Sequence, residues 1–224
     1  MALIDYHHHD LLSHRHGTGP SPSQRLVKRL FDLGLALTLL ALLLPVILIT
    51  ALAARLDTGA SGFFLQERIG RRGQPFRVVK IRTMRPVAGT TVTTLGDPRI
   101  TRLGGWLRRT KLDELPQLFN VLAGQMSFVG PRPDVPGFAD ALAEEGLVIL
   151  SVRPGITGPA TLKYRDEEAL LAGVEDPERF NREVIFPDKV RLNRDYVLHW
   201  SFTRDLVYLW RTAFPRPHHG SEKR

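Results

Sequence analysis

The densest concentration of chemistry-bearing side chains lies between Arg99 and Glu114, where Arg99, Arg102, Arg108, Arg109 and Lys111 lead into the adjacent acids Asp113 and Glu114. Five cations beside two carboxylates suit phosphate chemistry. Guanidinium and ammonium groups attract and neutralise a diphosphate, and they hold a neighbouring carboxylate ionised. Mg²⁺ can bridge carboxylate and phosphate oxygens in such a setting. The same charges also read as a solvated helix face with ordinary ion pairs, and charge alone leaves both readings open. Adjacent acids on one helix point about 100° apart. Asp113 and Glu114 are therefore expected to take different roles, not to face each other across one bond as glycosidase carboxylates do. Pro116 suits a first helical turn, so a helix is expected to start at or just after Asp113. Free backbone donors and the positive end of its dipole would then lie beside the acids and favour their anionic form together with phosphate binding. A carboxylate kept ionised is a competent nucleophile toward phosphorus.

Four further cations sit in positions that stiffen or aim them. Gly130-Pro131-Arg132-Pro133 fixes an arginine between two residues of locked φ, which lowers the entropy cost of aiming its guanidinium at a phosphate. Arg153-Pro154-Gly155-Ile156-Thr157-Gly158-Pro159 repeats that logic, although it also reads simply as a turn. Lys80 and Arg82 fall on one face of an expected strand at period two, where they either line a pocket or face water. The sequence has no Walker-type glycine loop, no G-x-G-x-x-G and no G-x-S-x-G, so the common nucleotide-binding folds and hydrolase elbows are not indicated. Its zero cysteines exclude thiol catalysis, disulfides and Cys-ligated metal.

The elements that must position these residues follow from length and patterning. At 224 residues one domain with a sizeable core is the default. A net charge of +8 and a pI near 10.3 point to an anionic partner: nucleic acid, lipid headgroup or phosphorylated substrate. The mean hydropathy of −0.12 conceals one strongly apolar block in a polar, arginine-rich remainder. Residues 1–24, with His7, His8, His9, His14 and His16 among Ser, Gly and Pro, are expected to be a disordered tail. Leu33 to Ala54 is a run of 22 residues without a charge. As one helix it would be ~33 Å long, enough for a bilayer's hydrocarbon core. A cleavable signal and a buried core helix are the lesser alternatives. Pro45 is expected to break this helix into arms of ~18 and ~14 Å, neither able to cross alone. Arg25, Lys28 and Arg29 on one flank and Arg55, Arg68, Arg71 and Arg72 on the other pull both ends toward the cytoplasm. A re-entrant helix over residues 25–57 satisfies both flanks; a kinked span is the competing arrangement.

Residues 58–215 then form a cytoplasmic domain, with 216–224 as a tail. A β-hairpin is expected around Gly70-Arg71-Arg72-Gly73, a loop over 86–98, helical spacing over 100–122, a rigid loop at 130–136 and a helix over 138–150. A punctuated loop should follow at 153–159 and an amphipathic helical region at 193–214. The aromatics of that last region, Tyr196, Trp200, Phe202, Tyr208, Trp210 and Phe214, suit either a membrane surface or a core. The fold class is α+β, mostly helical, with a small hairpin and an N-terminal re-entrant membrane helix.

The segments QERIGRRGQPFRVVKIRTM (66–84), DPRITRLGGWLRRTKLDELPQLFNVLAGQMSFVGPRPDVP (97–136) and RPGITG (153–158) resemble the bacterial sugar transferase family of monotopic phosphoglycosyl transferases. The likeness runs from about Gln24 to Phe214. It implies transfer of a phosphosugar from a UDP-sugar to polyprenyl (undecaprenyl) phosphate, with UMP released, at the cytoplasmic face of the bacterial inner membrane. That is a first membrane step of exopolysaccharide or glycan assembly. By this resemblance Asp113 is the nucleophile that carries a covalent phosphosugar, and Glu114 is the second acid, associated with Mg²⁺ and proton handling. Both acids are the expected metal ligands. Arg108 matches an active-site arginine, and Pro131, Arg132 and Pro133 match a phosphate-binding loop. Lys80 and Arg82 match basic positions near the hairpin, Arg153 and Thr157 lie in the PGITG block, and Pro45 matches the breaker of the membrane helix. Many members follow PGITG with a tryptophan and a Gln/Asn-Gly-Arg segment, whereas this chain reads Pro159-Ala160-Thr161-Leu162-Lys163-Tyr164-Arg165, so no sugar preference carries over. A short form without the extra membrane domain of longer members is expected.

Two other functions compete with this one. A non-catalytic basic adaptor would bind anionic lipid, but gains nothing from acids inside its cationic patch. A glycosyltransferase would release UDP in place of UMP. Trp106 on a basic helix is the nearest approach to a nucleic-acid site, and a 22-residue apolar block is a poor companion for one, so no nucleic-acid partner is expected. A homo-oligomer is left open.

Overall fold

The computed structural model describes residues 19–86 and 97–214. The histidine-rich part of the expected N-terminal tail, most of the expected 86–98 loop and the C-terminal tail lie outside the described residues.

Helix α1 spans Pro22–Thr58, 37 residues, or about 55 Å. It starts inside the expected tail because Ser21 caps it: the Ser21 hydroxyl accepts from Gln24 N, the Gln24 side chain accepts from Ser21 N, and Pro22 occupies the first turn. It ends at Gly59, whose φ of 70° is left-handed and whose N–H reaches Arg55 O. The helix is continuous through Pro45, which corrects the expected break into two arms. A proline inside a helix costs about 3 kcal/mol. Beyond Pro45 the helix is held by packing, with Ile47, Ala51 and Ala54 buried against Ile81 and Leu107.

One face of α1 packs on the rest of the chain over most of its length. Near its start, the Arg29 guanidinium donates to Val121 O and Leu122 O at 2.6 and 3.0 Å, Asp32 accepts from Phe128 N at 3.2 Å, and Ala36 enters the main core. Near its end, Ile47, Ala51 and Ala54 pack with Ile81 and Leu107. Gly62 follows so closely that a Cβ there would lie 1.8 Å from Ala51 O. The opposite face leaves Leu37, Leu42, Leu48, Ile49, Leu52 and Leu56 exposed. Only 17% of the most apolar window of α1 is buried, so α1 is not a core helix. A leucine stripe of this extent needs a non-aqueous neighbour, and the protein is membrane-associated.

The hairpin forms as expected: β1 (Phe63–Ile69) pairs antiparallel with β2 (Pro75–Ile81) around the turn at Gly70 to Gly73. The 100–122 region is not one helix. Helix α2 (Arg102–Thr110) is capped by Thr101, and it stops because Lys111 adopts a left-handed φ of 59°. A 3₁₀ turn, Leu112–Glu114, precedes α3 (Gln117–Leu122), for which Pro116 is the N-cap. The helix expected at or just after Asp113 therefore begins at Gln117, and the acids sit on a tight turn ahead of it.

Strand β3 (Ser127–Val129) runs parallel to β4 (Gly155–Thr157), so the expected 153–159 loop contains a strand. In place of one helix over 138–150 there are a 3₁₀ turn at Ala139–Ala141, the short α4 (Glu144–Leu147) and a second 3₁₀ turn at Val148–Ser151. Three short helices, α5 (Pro159–Lys163), α6 (Glu167–Ala172) and α7 (Pro177–Phe180), lead through a π turn, Asn181–Ile185, into α8 (Phe186–Leu198). The 193–214 region divides at Ser201, which caps α9 (Phe202–Ala213). Its aromatics divide as well. Tyr196 is core, Phe202 stacks edge-on against Phe31 at 5.1 Å, and Trp210 and Phe214 are exposed.

Candidate active site

Asn120 fixes the hairpin to the acidic turn. Its Oδ1 accepts from Val79 N at 3.0 Å, and its Nδ2 donates to Arg77 O and Gln125 Oε1, each at 2.7 Å. This clamp holds β2 beside α3 and brings Lys80 to the Leu112–Glu114 turn. The Lys80 ammonium lies 3.6 Å from Glu114 Oε1.

Arg132 reaches the same oxygen, donating from Nη2 at 2.7 Å. Its loop is pinned on both sides. Gly155 N donates to Pro131 O at 2.8 Å, and Arg68 donates to Pro133 O at 3.2 Å. The glycines of the two motifs permit this approach: a Cβ on Gly155 would lie 2.1 Å from Gly130 N, so only a bare backbone fits.

Asp113 is buried, and its Oδ1 has no hydrogen-bond partner among the described residues. Burial first, and then the neighbouring Glu114 charge, push its carboxyl up to about 6 against the pull of Lys80, Arg108 and Lys111. Glu114 goes the other way. Burial alone would raise it, but Arg132 and Lys80 together hold it well below the usual carboxylate range. Burial lowers Lys80 to about 8 against the pull of Glu114, and the Glu114 charge raises Arg132. Two adjacent acids are thus driven apart by their surroundings: Glu114 Oε1 is engaged by Arg132 and Lys80, while Asp113 Oδ1 is buried without a partner among the described residues.

The structure brings together Asp113, Glu114, Lys80 and Arg132, with Pro131 and Pro133 anchoring the loop. Arg108 acts on Asp113 through its charge while its Nη1 contacts Thr83 Oγ1 at 3.4 Å and Met84 Sδ at 3.8 Å. Three expected side chains are directed elsewhere. Arg82 lies just past the end of β2, where its guanidinium donates to Ser61 O and Phe63 O. Arg153 donates to Gly124 O at 2.7 Å, and Thr157 shares a 2.6 Å hydroxyl contact with Thr212. The Thr157 backbone still serves the site, since its carbonyl accepts from Gly130 N at 2.9 Å.

Sequence reasoning missed Arg68, Asp134 and Asn120. Arg68 falls on the same hairpin face as Lys80 by register, since Phe64 pairs with Lys80 and Arg68 with Phe76, so period-two counting along β1 would have found it. Burial, then Arg132, lower Arg68 to about 10, and burial raises Asp134 to about 6. Asn120 left no signal in the sequence, because its role depends on the strand it meets.

No cluster of three or more His, Cys, Asp or Glu gathers among the described residues. Two adjacent carboxylates, one with an unpartnered oxygen, nevertheless fit Mg²⁺, which takes one or two protein carboxylates and completes its shell with phosphate oxygens and water. Asp113 and Glu114 would hold it.

The family model for bacterial sugar transferases matches residues 23–216. The chain belongs to the bacterial sugar transferase family. A UDP-glucose:undecaprenyl-phosphate glucose-1-phosphate transferase of Escherichia coli is 37% identical over 197 residues, 85% of this chain and 40% of that protein. A Caulobacter vibrioides protein with the same description is 39% identical over 211 residues, 91% of this chain and 74% of its own length. A putative undecaprenyl-phosphate N-acetylgalactosaminyl 1-phosphate transferase of Bacillus subtilis is 43% identical over 122 residues, 53% of this chain and 68% of that protein. The chain therefore spans less than half of the E. coli relative and about three quarters of the C. vibrioides one.

Proposed function

We propose that this sugar transferase moves a phosphosugar from a UDP-sugar to polyprenyl phosphate in two steps on Asp113. The observation that carries this reading is the buried Asp113 oxygen without a partner among the described residues, set beside a Glu114 neutralised by Arg132 and Lys80. In the first step an Asp113 oxygen forms a bond to the sugar-bearing phosphorus, and the bond to UMP breaks with its electron pair leaving on UMP. In the second, a phosphate oxygen of the lipid attacks the same phosphorus and the Asp113 carboxylate leaves, giving a polyprenyl diphosphosugar. Separating the steps keeps two anionic substrates from meeting unshielded in one site.

Glu114 stays ionised at neutral pH, so it suits holding Arg132, Lys80 and a metal better than carrying a proton. Arg132 presents a planar fork to phosphate from a loop that loses little entropy on binding. Bound Mg²⁺ would supply charge neutralisation at the donor's phosphate oxygens.

We place this chemistry at the cytoplasmic face of the bacterial inner membrane. The Arg29 to Ala36 and Ile47 to Thr58 portions of α1 pack on the same domain, which supports an anchor whose two ends stay on one side. Labelling tests this arrangement: cysteines at Ser23 and Ser61, in a chain with no others, should react from the same side of sealed vesicles. Reaction from opposite sides would establish a span.

The activity is tested by incubating the protein with a panel of UDP-sugars, Mg²⁺ and polyprenyl phosphate and identifying the nucleotide released. UMP with a lipid-linked diphosphosugar is expected. UDP would indicate glycosidic transfer, and lipid binding without nucleotide release from any donor would indicate an adaptor.

A further inference from the structure

A second concentration of positive charge shares no lining residue with the Asp113 turn. A small cleft, partly open to solvent, lies between the start of α1, the hairpin turn and the entry to β4. Its walls carry four cations, Arg25, Lys28, Arg71 and Arg153, and one ionisable acid, Asp32. Lys28 is spoken for, because it pairs with the buried Asp205.

The three arginines have no ion pair at hydrogen-bond distance among the described residues, although the Asp32 charge attracts Arg153. Arg25 Nε donates to Pro20 O at 2.6 Å and Arg153 Nε to Gly124 O at 2.7 Å, both carbonyls. Arg71 Nε is buried with no partner among the described residues. After burial, the influences that lower the Arg71 pKa are the charges of Arg72, Arg153 and Arg25. Like charges converge on this cleft. Ser127 adds an independent sign. It is 1% exposed and lines the cleft, and its hydroxyl, beside the Asp32 carboxyl, has no hydrogen bond of ordinary geometry among the described residues. Three guanidinium groups gathered around a single carboxylate carry an excess of positive charge, kept at a cost that an anion rich in acceptor oxygens offsets.

We propose that the Arg25, Arg71, Arg153 and Ser127 cleft is a second anion site, which takes the phosphate group of a ligand other than the one reacting at Asp113. That phosphate comes from an anionic lipid headgroup or from a soluble phosphate. The place of the cleft, at the start of the helix with the exposed apolar face, suits the former. Two or three guanidinium groups engage the phosphate oxygens, and the Ser127 hydroxyl donates to one of them.

Trp200 lines the cleft and serves as the reporter, in full-length protein carrying Trp106→Phe and Trp210→Phe so that one tryptophan remains. Its emission is titrated at constant ionic strength with inorganic phosphate and, separately, with phosphatidylglycerol in a phosphatidylcholine bicelle against phosphatidylcholine alone. A saturable change with either probe is expected. Arg71→Gln and Arg25→Gln should each raise the apparent Kd on the order of tenfold, the loss of one charge-assisted hydrogen bond, while Arg132→Gln leaves it in place. A response to phosphatidylglycerol alone assigns the site to a lipid headgroup, and one to inorganic phosphate assigns it to a soluble ligand. No response to either probe, or a response that survives in both Arg71→Gln and Arg25→Gln while disappearing in Arg132→Gln, overturns the proposal.

Discussion

Asp205 and Asp113, two of the buried aspartates of this protein, both sit beside cations, and they differ in how far their oxygens are partnered. Asp205, on α9, is 1% exposed and fully engaged: Tyr196 Oη donates to it at 2.7 Å, Trp200 Nε1 at 3.1 Å, and Lys28 of α1 completes the set. It ties the N-terminal helix to the C-terminal one. Asp113 is 8% exposed, lies in the fields of Lys80, Arg108 and Lys111, and keeps Oδ1 without a partner among the described residues. Burial and a nearby positive charge are common to both. What separates a clamp from a reactive group is the oxygen left unspent.

The contrast is sharpest in paired substitutions. Asp113→Asn should lower transfer on the order of 10³-fold or more, as expected for loss of a nucleophile, with the circular dichroism spectrum retained and no loss of thermal stability. Asp205→Asn should do the reverse, costing about 3 kcal/mol or more of stability because Lys28 loses its counter-charge. The activity of the Asp205→Asn protein that remains folded should stay near normal. A stable Asp205→Asn protein without activity would erase the distinction. Glu114→Gln comes next. It leaves Arg132 and Lys80 facing a neutral amide, and a loss of about 10- to 100-fold in turnover is expected, the range for residues that orient a catalytic centre. An unaffected rate would mean that Glu114 only anchors the loop.

A smaller effect separates the same residues through pH. The Asp113 carboxyl is raised to about 6, so the native state binds more protons than the unfolded one between the ordinary carboxylate range and about 6. Stability therefore falls as pH rises through that window, and the full penalty is present above about 6. Asp113→Asn removes the penalty. Its thermal midpoint should exceed that of the wild type at pH 7.5 and converge with it below about pH 4. A lower midpoint at pH 7.5 would show that the ionised carboxylate is stabilising and that its environment has been misread.

The readable parts of the molecule were those set by local pattern. The uncharged block from Leu33 to Ala54, the turn at Gly70 to Gly73 and the stiff Pro131-Arg132-Pro133 loop each declare themselves in a few adjacent residues. The start of α1 was equally local, a Ser21-x-x-Gln24 capping box, and was overlooked among the histidines and prolines of the tail. The break at Lys111 was not local. A lysine with φ of 59° is uncommon, and nothing in its residue type announces that conformation. Continuity at Pro45 likewise depends on what Ile47, Ala51 and Ala54 pack against. At the site, charge concentration marked Asp113, Glu114 and Arg132 while leaving a solvated face open, and the family resemblance gave them and Lys80 their roles. That both cations engage one acid could not be read in advance, since it depends on where Arg132 and Lys80 end, both at Glu114 Oε1. Arg153 shows the converse: its motif looked like a phosphate loop, and its side chain belongs to a different cleft.

The most direct test of a covalent Asp113 intermediate is intact-protein mass spectrometry after exposure to UDP-sugar and Mg²⁺ without lipid acceptor. The account predicts a mass increase of one phosphosugar, mapped to the peptide that contains Asp113, lost on adding polyprenyl phosphate and absent from Asp113→Asn. An unmodified wild type under conditions where the full reaction proceeds, or an adduct that persists in Asp113→Asn, would contradict it.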